Sequence, residues 1–285
     1  MKDKRIIWVF IVFSQFAFSQ IQGIVKDSLS GKPIPYVNIW VENENIGTTT
    51  EENGEFNISV SQKRKNLIVS VIGYQKKIIK ISQSKNIFLS PSDFQIQEVI
   101  ISNRKNTKEI EIGKTNSLIS QAFESGPKID LKYFPYFPSY KKTKYIKKIV
   151  INTDNRLEEA LIRMHLYSVG KDSLPEKELL TKDLIISVKS GTRNNKINLT
   201  SFDLKMPTEG VFVGFEKLMI EKNKFEKKIK DANSNLVKTQ ITYCPYILYN
   251  TVESQYKYTF SGGKWMKSAA KITIDEPAIN LILTN

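Results

Sequence analysis

The residue types that carry most enzyme chemistry are scarce in this chain: one histidine, His165, and one cysteine, Cys244, in 285 residues. A zinc site built from two histidines and a glutamate cannot be assembled from His165 alone, and no cysteine cluster replaces it. A Ser-His-Asp arrangement would have its histidine, but no Gly-x-Ser-x-Gly elbow is present to expose a serine. His165 sits in an alternating stretch, Leu161 to Val169, with Ile162, Met164 and Leu166 on one face and Arg163, His165 and Tyr167 on the other. That pattern predicts a half-buried strand with His165 on the solvated face. Cys244 ends the strand-like run Gln240 to Cys244 and reads as a buried small hydrophobe. A single cysteine leaves the chain without an internal disulfide.

Glycoside hydrolysis needs only two carboxylates, so the adjacent pairs Glu51-Glu52 and Glu158-Glu159 come next. Both lie in turn-like sequence, where solvated surface charge is the expectation. Asp154-Asn155 and Asp203 offer oxygen ligands, without the dense acidic spacing of a calcium loop. Gly262-Gly263 precedes Trp265 in a turn and opens no strand-to-helix phosphate loop. The expectation is no catalytic residue, no cofactor and no metal.

Binding chemistry is better represented. Lysine and arginine number 43 against 29 acidic residues, a formal net charge of +14. The basic residues concentrate at Lys141 to Lys148 and at Lys222 to Lys230, and the first run directly follows the aromatic stretch Tyr133 to Tyr140. Aromatic faces can stack on sugar rings, and lysines attract anionic polymers. The candidate ligand surface is therefore Tyr133, Tyr136, Tyr140, Lys144, Lys147 and Lys148. Against it stands core cover by the aromatics, with Pro135 and Pro138 confining the segment to a sheet edge, and a solvated face for the lysines. Partners are expected to be an anionic polysaccharide or an envelope protein rather than nucleic acid, because the N-terminus reads as an export signal.

That signal consists of Lys2, Lys4 and Arg5, the apolar run Ile6 to Phe13, and small residues at Ala17 and Ser19. The run is shorter than the roughly 20 apolar residues a spanning helix needs. Cleavage is expected after Ser19, leaving a mature chain without a transmembrane segment. The length remaining suffices for two hydrophobic cores.

The positioning elements are strands. Residues Gln22 to Asp27, Tyr36 to Val41, Thr48 to Thr50, Phe56 to Val60, Leu67 to Ile72, Lys76 to Ile81 and Ile87 to Leu89 are rich in β-formers. Turn residues separate them at Leu29 to Pro33, Asn53-Gly54 and Gly73-Tyr74, a spacing that predicts a small antiparallel sandwich. Asn53-Gly54 predicts a type I′ hairpin. The ordered blocks Gly23 to Asp27, Gly31 to Ile39, Gly47 to Phe56, Val69 to Tyr74 and Gln97 to Ile101 resemble the carboxypeptidase-like regulatory domain of Bacteroidetes envelope proteins. The resemblance implies a transthyretin-like, non-catalytic sandwich, often placed ahead of an outer-membrane transporter. Glu51 stands where that family usually has Asp, and Tyr36 where it often has Gly.

A polar stretch from Ile101 to Thr107 marks a boundary, giving residues 1–19 as signal, 20–102 as the first sandwich and 103–127 as a linker with short elements. Residues 128–285 form a second unit. Strands are expected there at Tyr145 to Thr153, turning at Asp154-Asn155, then at Leu161 to Val169, Asp183 to Lys189, Asn195 to Thr200 and Gly210 to Ile220. Others are expected at Val237 to Tyr243, Tyr256 to Phe260 and Ala270 to Ile274. About eight strands without helical periods predict a second β-sandwich, jelly-roll-like. The stretches Ala160 to Val169 and Gly210 to Glu216 are similar to an uncharacterised β-sandwich that accompanies the same regulatory domain. The chain thus reads as an all-β, exported, non-catalytic binding or structural module of the periplasm or cell envelope, outer-membrane association included. The alternatives are an accessory part of an outer-membrane uptake or assembly system, and a carbohydrate-active enzyme with paired carboxylates.

Overall fold

The computed structural model describes residues 19–60, 65–92, 107–114, 119–121, 127–230, 236–253, 256–269 and 272–285. The expected signal segment and the block Gln97 to Ile101 lie outside the described residues, apart from Ser19. The architecture is all-β, as expected.

The first unit holds strands β1 (Ser19–Asp27), β2 (Asn38–Val41), β3 (Gly47–Thr49), β4 (Glu55–Val60), β5 (Asn66–Ser70), β6 (Lys77–Lys80) and β7 (Asn86–Leu89). They make two sheets, β4-β1-β7 and β3-β2-β5-β6. Period-2 alternation does the local work. In β4, Phe56, Ile58 and Val60 are buried while Glu55, Asn57 and Ser59 are exposed. Their partners in the core are Val25, Ile39, Val41, Leu67, Val69, Ile87 and Leu89. Each such side chain contributes roughly 1.5–3 kcal/mol by leaving water.

The Asn53-Gly54 signal marks a turn, but not the one expected. Gly54 has φ +77°, whereas Asn53 is not in the left-handed region. The Gly54 amide donates to Glu51 O at 2.9 Å and the Glu51 amide to Glu55 O at 2.7 Å. One positive φ at the last position describes a type I turn closed by a glycine bulge, not a type I′ turn. The strands it joins do not pair either: β3 bonds β2 and β4 bonds β1, so the turn carries the chain from one sheet to the other.

The second unit holds β8 (Glu109–Ile112), β9 (Ile119–Gln121), β10 (Ile129–Phe134), β11 (Tyr145–Val169), β12 (Pro175–Glu178), β13 (Ile185–Asn198) and β14 (Val211–Lys217). It continues with β15 (Lys224–Lys230), β16 (Val237–Tyr243), β17 (Tyr246–Val252), β18 (Tyr256–Ser261), β19 (Lys264–Ala269), β20 (Ile274–Pro277) and β21 (Ile279–Thr284). Among the described residues, all but β15 and β16 join one 12-stranded sheet, and those two pair only with each other as a ribbon. Two strands, β8 and β9, come from the stretch read as linker and bond β21 and β17.

The unit is built on β11, which is 25 residues long and bonds β12, β13, β14, β17 and β21 along its length. Asp154-Asn155 therefore does not turn the chain. Asn155 is buried, its amide donates to Val188 O at 2.8 Å, and its oxygen accepts from the Leu157 amide at 3.2 Å. The result is an irregularity between Asn155 and Glu159 with β13 paired on both sides of it. A tertiary partner overrode the local turn preference.

Candidate functional site

The face of β11 expected to be wet is covered. Arg163 is fully buried and His165 is 4% exposed. A single sheet has a solvated side only where nothing packs on it, and here β2 of the first unit does. His165 is thus an interior residue, not a surface one.

All five guanidinium N–H groups of Arg163 have acceptors. Nε donates to Asp183 Oδ1 at 2.7 Å, and Nη2 to Asp183 Oδ2 at 2.8 Å and to the carbonyl of Tyr36. Nη1 donates to Glu216 Oε2 at 3.0 Å and to Asn38 Oδ1 at 3.2 Å. Asn38 in turn donates from Nδ2 to Glu216 Oε2 at 2.8 Å. Tyr36, which supplies that carbonyl, has φ +57°, a conformation that favours glycine. Asn38 and Tyr36 belong to the first unit; Arg163, Asp183 and Glu216 belong to the second.

His165 lies between two carboxylates, with Nδ1 2.7 Å from Glu178 Oε2 and Nε2 3.1 Å from Glu216 Oε2. Burial alone would push the imidazole down, but hydrogen bonds to both carboxylates overrule it and raise the pKa to about 9. At neutral pH the ring is an imidazolium donating from both nitrogens. Burial would likewise raise Glu216, yet the His165 bond and the Arg163 charge hold it down at about 2. Tyr167 stacks on the His165 ring at 5.4 Å, and burial pushes its phenol well above the ordinary range.

Beside this network lies a cavity of about 230 Å³. Arg163, His165 and Glu178 line it on one side, and Trp40, Tyr167, Phe260 and Trp265 supply aromatic walls. Further contacts extend along the same seam. The Asn43 amide donates to Gly262 O at 3.0 Å, Met219 N to Thr49 Oγ1 at 3.1 Å, and Glu221 N to Glu51 Oε1 at 2.9 Å.

The residues proposed from sequence as a ligand surface lie elsewhere and are largely engaged. The Tyr133 hydroxyl donates to Glu209 O at 2.8 Å, and its ring packs on Phe212. Tyr136 and Tyr140 pack half-buried against the main core and meet edge to face at 6.0 Å. Lys144 lies over the Tyr145 ring at 5.6 Å and Lys147 pairs with Glu109 at 2.6 Å. Lys148 is half-buried within β11. Glu158-Glu159 is inside β11 rather than in a turn, with Glu159 pairing to exposed Lys222 at 2.6 Å.

The network partners escaped sequence reading, although signals existed. Glu216 directly follows the apolar run Val211 to Phe215, and Arg163 shares the alternating face of His165. An ionisable residue on an otherwise apolar strand asks for a buried partner.

Residues 21–101 match the CarboxypepD_reg-like domain family. This is the family that the ordered blocks resembled. The CarboxypepD_reg-like domain thus contributes Tyr36, Asn38 and Trp40 to the seam, while Arg163, His165, Glu178 and Glu216 lie outside the match. The chain is also 33% identical over 94 residues to the TonB-dependent receptor SusC of Bacteroides thetaiotaomicron, a match over 32% of this chain and 9% of the receptor. The chain therefore spans less than a tenth of the receptor's length. Two solved structures, of infectious bursal disease virus Gx strain and of that virus's VP2 subviral particle, align over 93% and 95% of this chain and 64% and 67% of theirs. Their TM-scores of 0.25 and 0.21, at 8% and 10% identity, carry no argument.

Proposed function

We propose that the protein is an exported, non-catalytic module of the cell envelope in which the CarboxypepD_reg-like domain and the following β-unit act as one rigid body that binds an envelope polysaccharide or protein. The observation that carries this reading is the Arg163 network. Its charged groups are consumed in joining Asn38 and Tyr36 to Asp183 and Glu216. Such saturation favours a structural role over acid–base chemistry. Export is supported by the basic and apolar start of the sequence, and cleavage after Ser19 would leave Gln20 at the start of β1. The likeness to a TonB-dependent receptor favours a second, compatible reading, an accessory role in an outer-membrane uptake or assembly system.

The test is fractionation of Bacteroides thetaiotaomicron expressing the tagged full chain, followed by N-terminal sequencing and incubation of the purified protein with envelope polysaccharide. The expected result is a chain beginning at Gln20 in the envelope fraction, binding that weakens with salt, and no change in the polysaccharide. An intact Met1 in the cytoplasm, or turnover of the polysaccharide, would overturn the reading.

A further inference from the structure

We infer that the far end of the β15-β16 ribbon is a contact surface for an anionic phospholipid bilayer. The two strands pair from Lys224–Tyr243 at the base to Lys230–Val237 at the far end, a length of roughly 23 Å. The base is anchored: Phe225 packs against the cluster around Cys244, and Lys224 pairs with Glu226 at 3.1 Å. Beyond it the ribbon stands clear. From Glu226 to Lys230 and from Val237 to Ile241 every residue is exposed. Among the described residues neither outer edge bonds another strand. An isolated two-stranded ribbon is marginally stable in water, so this one gains from a surface that covers it.

The side chains identify that surface. Residues 227–241 hold four lysines, Lys227, Lys228, Lys230 and Lys238, against one carboxylate, Asp231, a net charge of +3. A negative headgroup layer attracts such a segment, each lysine near it strengthening binding roughly fivefold. Charge alone would suit a soluble acidic polymer equally well, and the apolar residues decide between them. Ile229, Leu236 and Val237 are 41%, 64% and 61% exposed, and all lie at the end of the ribbon. Val237 faces the same way as Lys228 and Lys230, whereas Ile229 faces the opposite way with Lys227 and Lys238. A polymer or protein laid on one face would leave the other in water. An end-on approach to a bilayer covers both faces, within the roughly 5–10 Å that interfacial segments reach. Lysine stems can lie along the same apolar layer while their amines stay among the phosphates.

This contact goes beyond the polysaccharide or protein binding proposed above, and vesicle binding tests it independently of export. The full mature chain is sedimented with vesicles of phosphatidylcholine and phosphatidylglycerol in equal amounts and with vesicles of phosphatidylcholine alone. Soluble alginate serves as an acidic polymer without a bilayer. Binding to the mixed vesicles should exceed that to phosphatidylcholine by roughly tenfold or more. Lys227→Gln, Lys228→Gln and Lys230→Gln together should remove most of it. The same change at exposed Lys141, Lys142 and Lys171 removes equal charge elsewhere and, at physiological salt, should alter binding by about twofold at most. Leu236→Ser with Val237→Ser should weaken vesicle binding roughly tenfold and leave any alginate binding unchanged. All these variants alter exposed side chains and should keep the parent's unfolding temperature. No binding to the mixed vesicles, equal binding to phosphatidylcholine, or equal loss in the two lysine variants would overturn the inference. So would vesicle binding indifferent to Leu236 and Val237, or dependence on the ribbon lysines for alginate but not for vesicles.

Discussion

At the scale of single residues, Arg163 and Glu216 decide how this molecule holds together. Removing one member of a buried, hydrogen-bonded ion network leaves its partners charged and desolvated, at a cost of about 3–5 kcal/mol. Arg163→Met should therefore lower the unfolding free energy of the second unit by that amount, read from urea denaturation. His165 adds a pH dependence with a definite sign. Its folded pKa of about 9 lies above the unfolded value of about 6.5. The stability it contributes is complete below pH 6.5 and disappears as pH rises through 9. Glu216 has the opposite sign. Held at about 2 in the fold against about 4.3 unfolded, it contributes fully above pH 4.3 and loses that contribution as pH falls toward 2. These two groups together predict a stability maximum between about pH 4.5 and 6.5. Thermal unfolding across pH checks it, and His165→Gln should flatten the alkaline limb selectively.

At the scale of elements, the Gly54 turn and strand β11 show how local preference and tertiary pairing share control. Gly54 is needed twice over, for φ +77° and because a Cβ there would sit 2.8 Å from Val25 O and 2.9 Å from Pro33 Cβ. Gly54→Val should destabilise the chain by more than the roughly 1–3 kcal/mol of backbone strain, since the clash adds to it. Gly31→Ala is the control: φ is +69° there, but among the described residues nothing lies within 4 Å of the added atom. Chemical denaturation of the two variants should show Gly54→Val well below Gly31→Ala. Equal effects would mean that crowding at the turn is immaterial. In β11, Asn155 turns its side chain onto Val188 O and lets the strand run on, which no two-residue turn signal could foretell.

At the scale of the whole molecule, the seam governs cooperativity. The CarboxypepD_reg-like domain gives Tyr36, Asn38 and Trp40 to it, and the second unit gives Arg163, Glu216, Phe260 and Trp265. Calorimetry of the full mature chain should give one transition, because separating the units breaks the bonds of Asn38 and Tyr36 to Arg163 and Glu216 and bares the buried Trp40. Arg163→Met should separate it into two. Two transitions in the unaltered chain would show that the network does not couple the units.

Much of this was legible in the order of the residues. The alternation of Phe56, Ile58 and Val60 against Glu55, Asn57 and Ser59 is a local property of an extended chain, so strand and inward face follow without a partner. The β-rich composition, the ordered blocks of the CarboxypepD_reg-like domain and the buried Cys244 were readable for the same reason. Alternation also placed Arg163, His165 and Tyr167 on one face, but could not say what that face meets. The difference between a wet face and a buried one depends on β2, more than a hundred residues earlier, packing across the sheet. Glu178 and Glu216 approach the two sides of one imidazole only because β12 and β14 both lie against β11. Period and propensity act over a few residues; the meeting of charges across a seam is set by which sheets stack, and only the tertiary structure decides that.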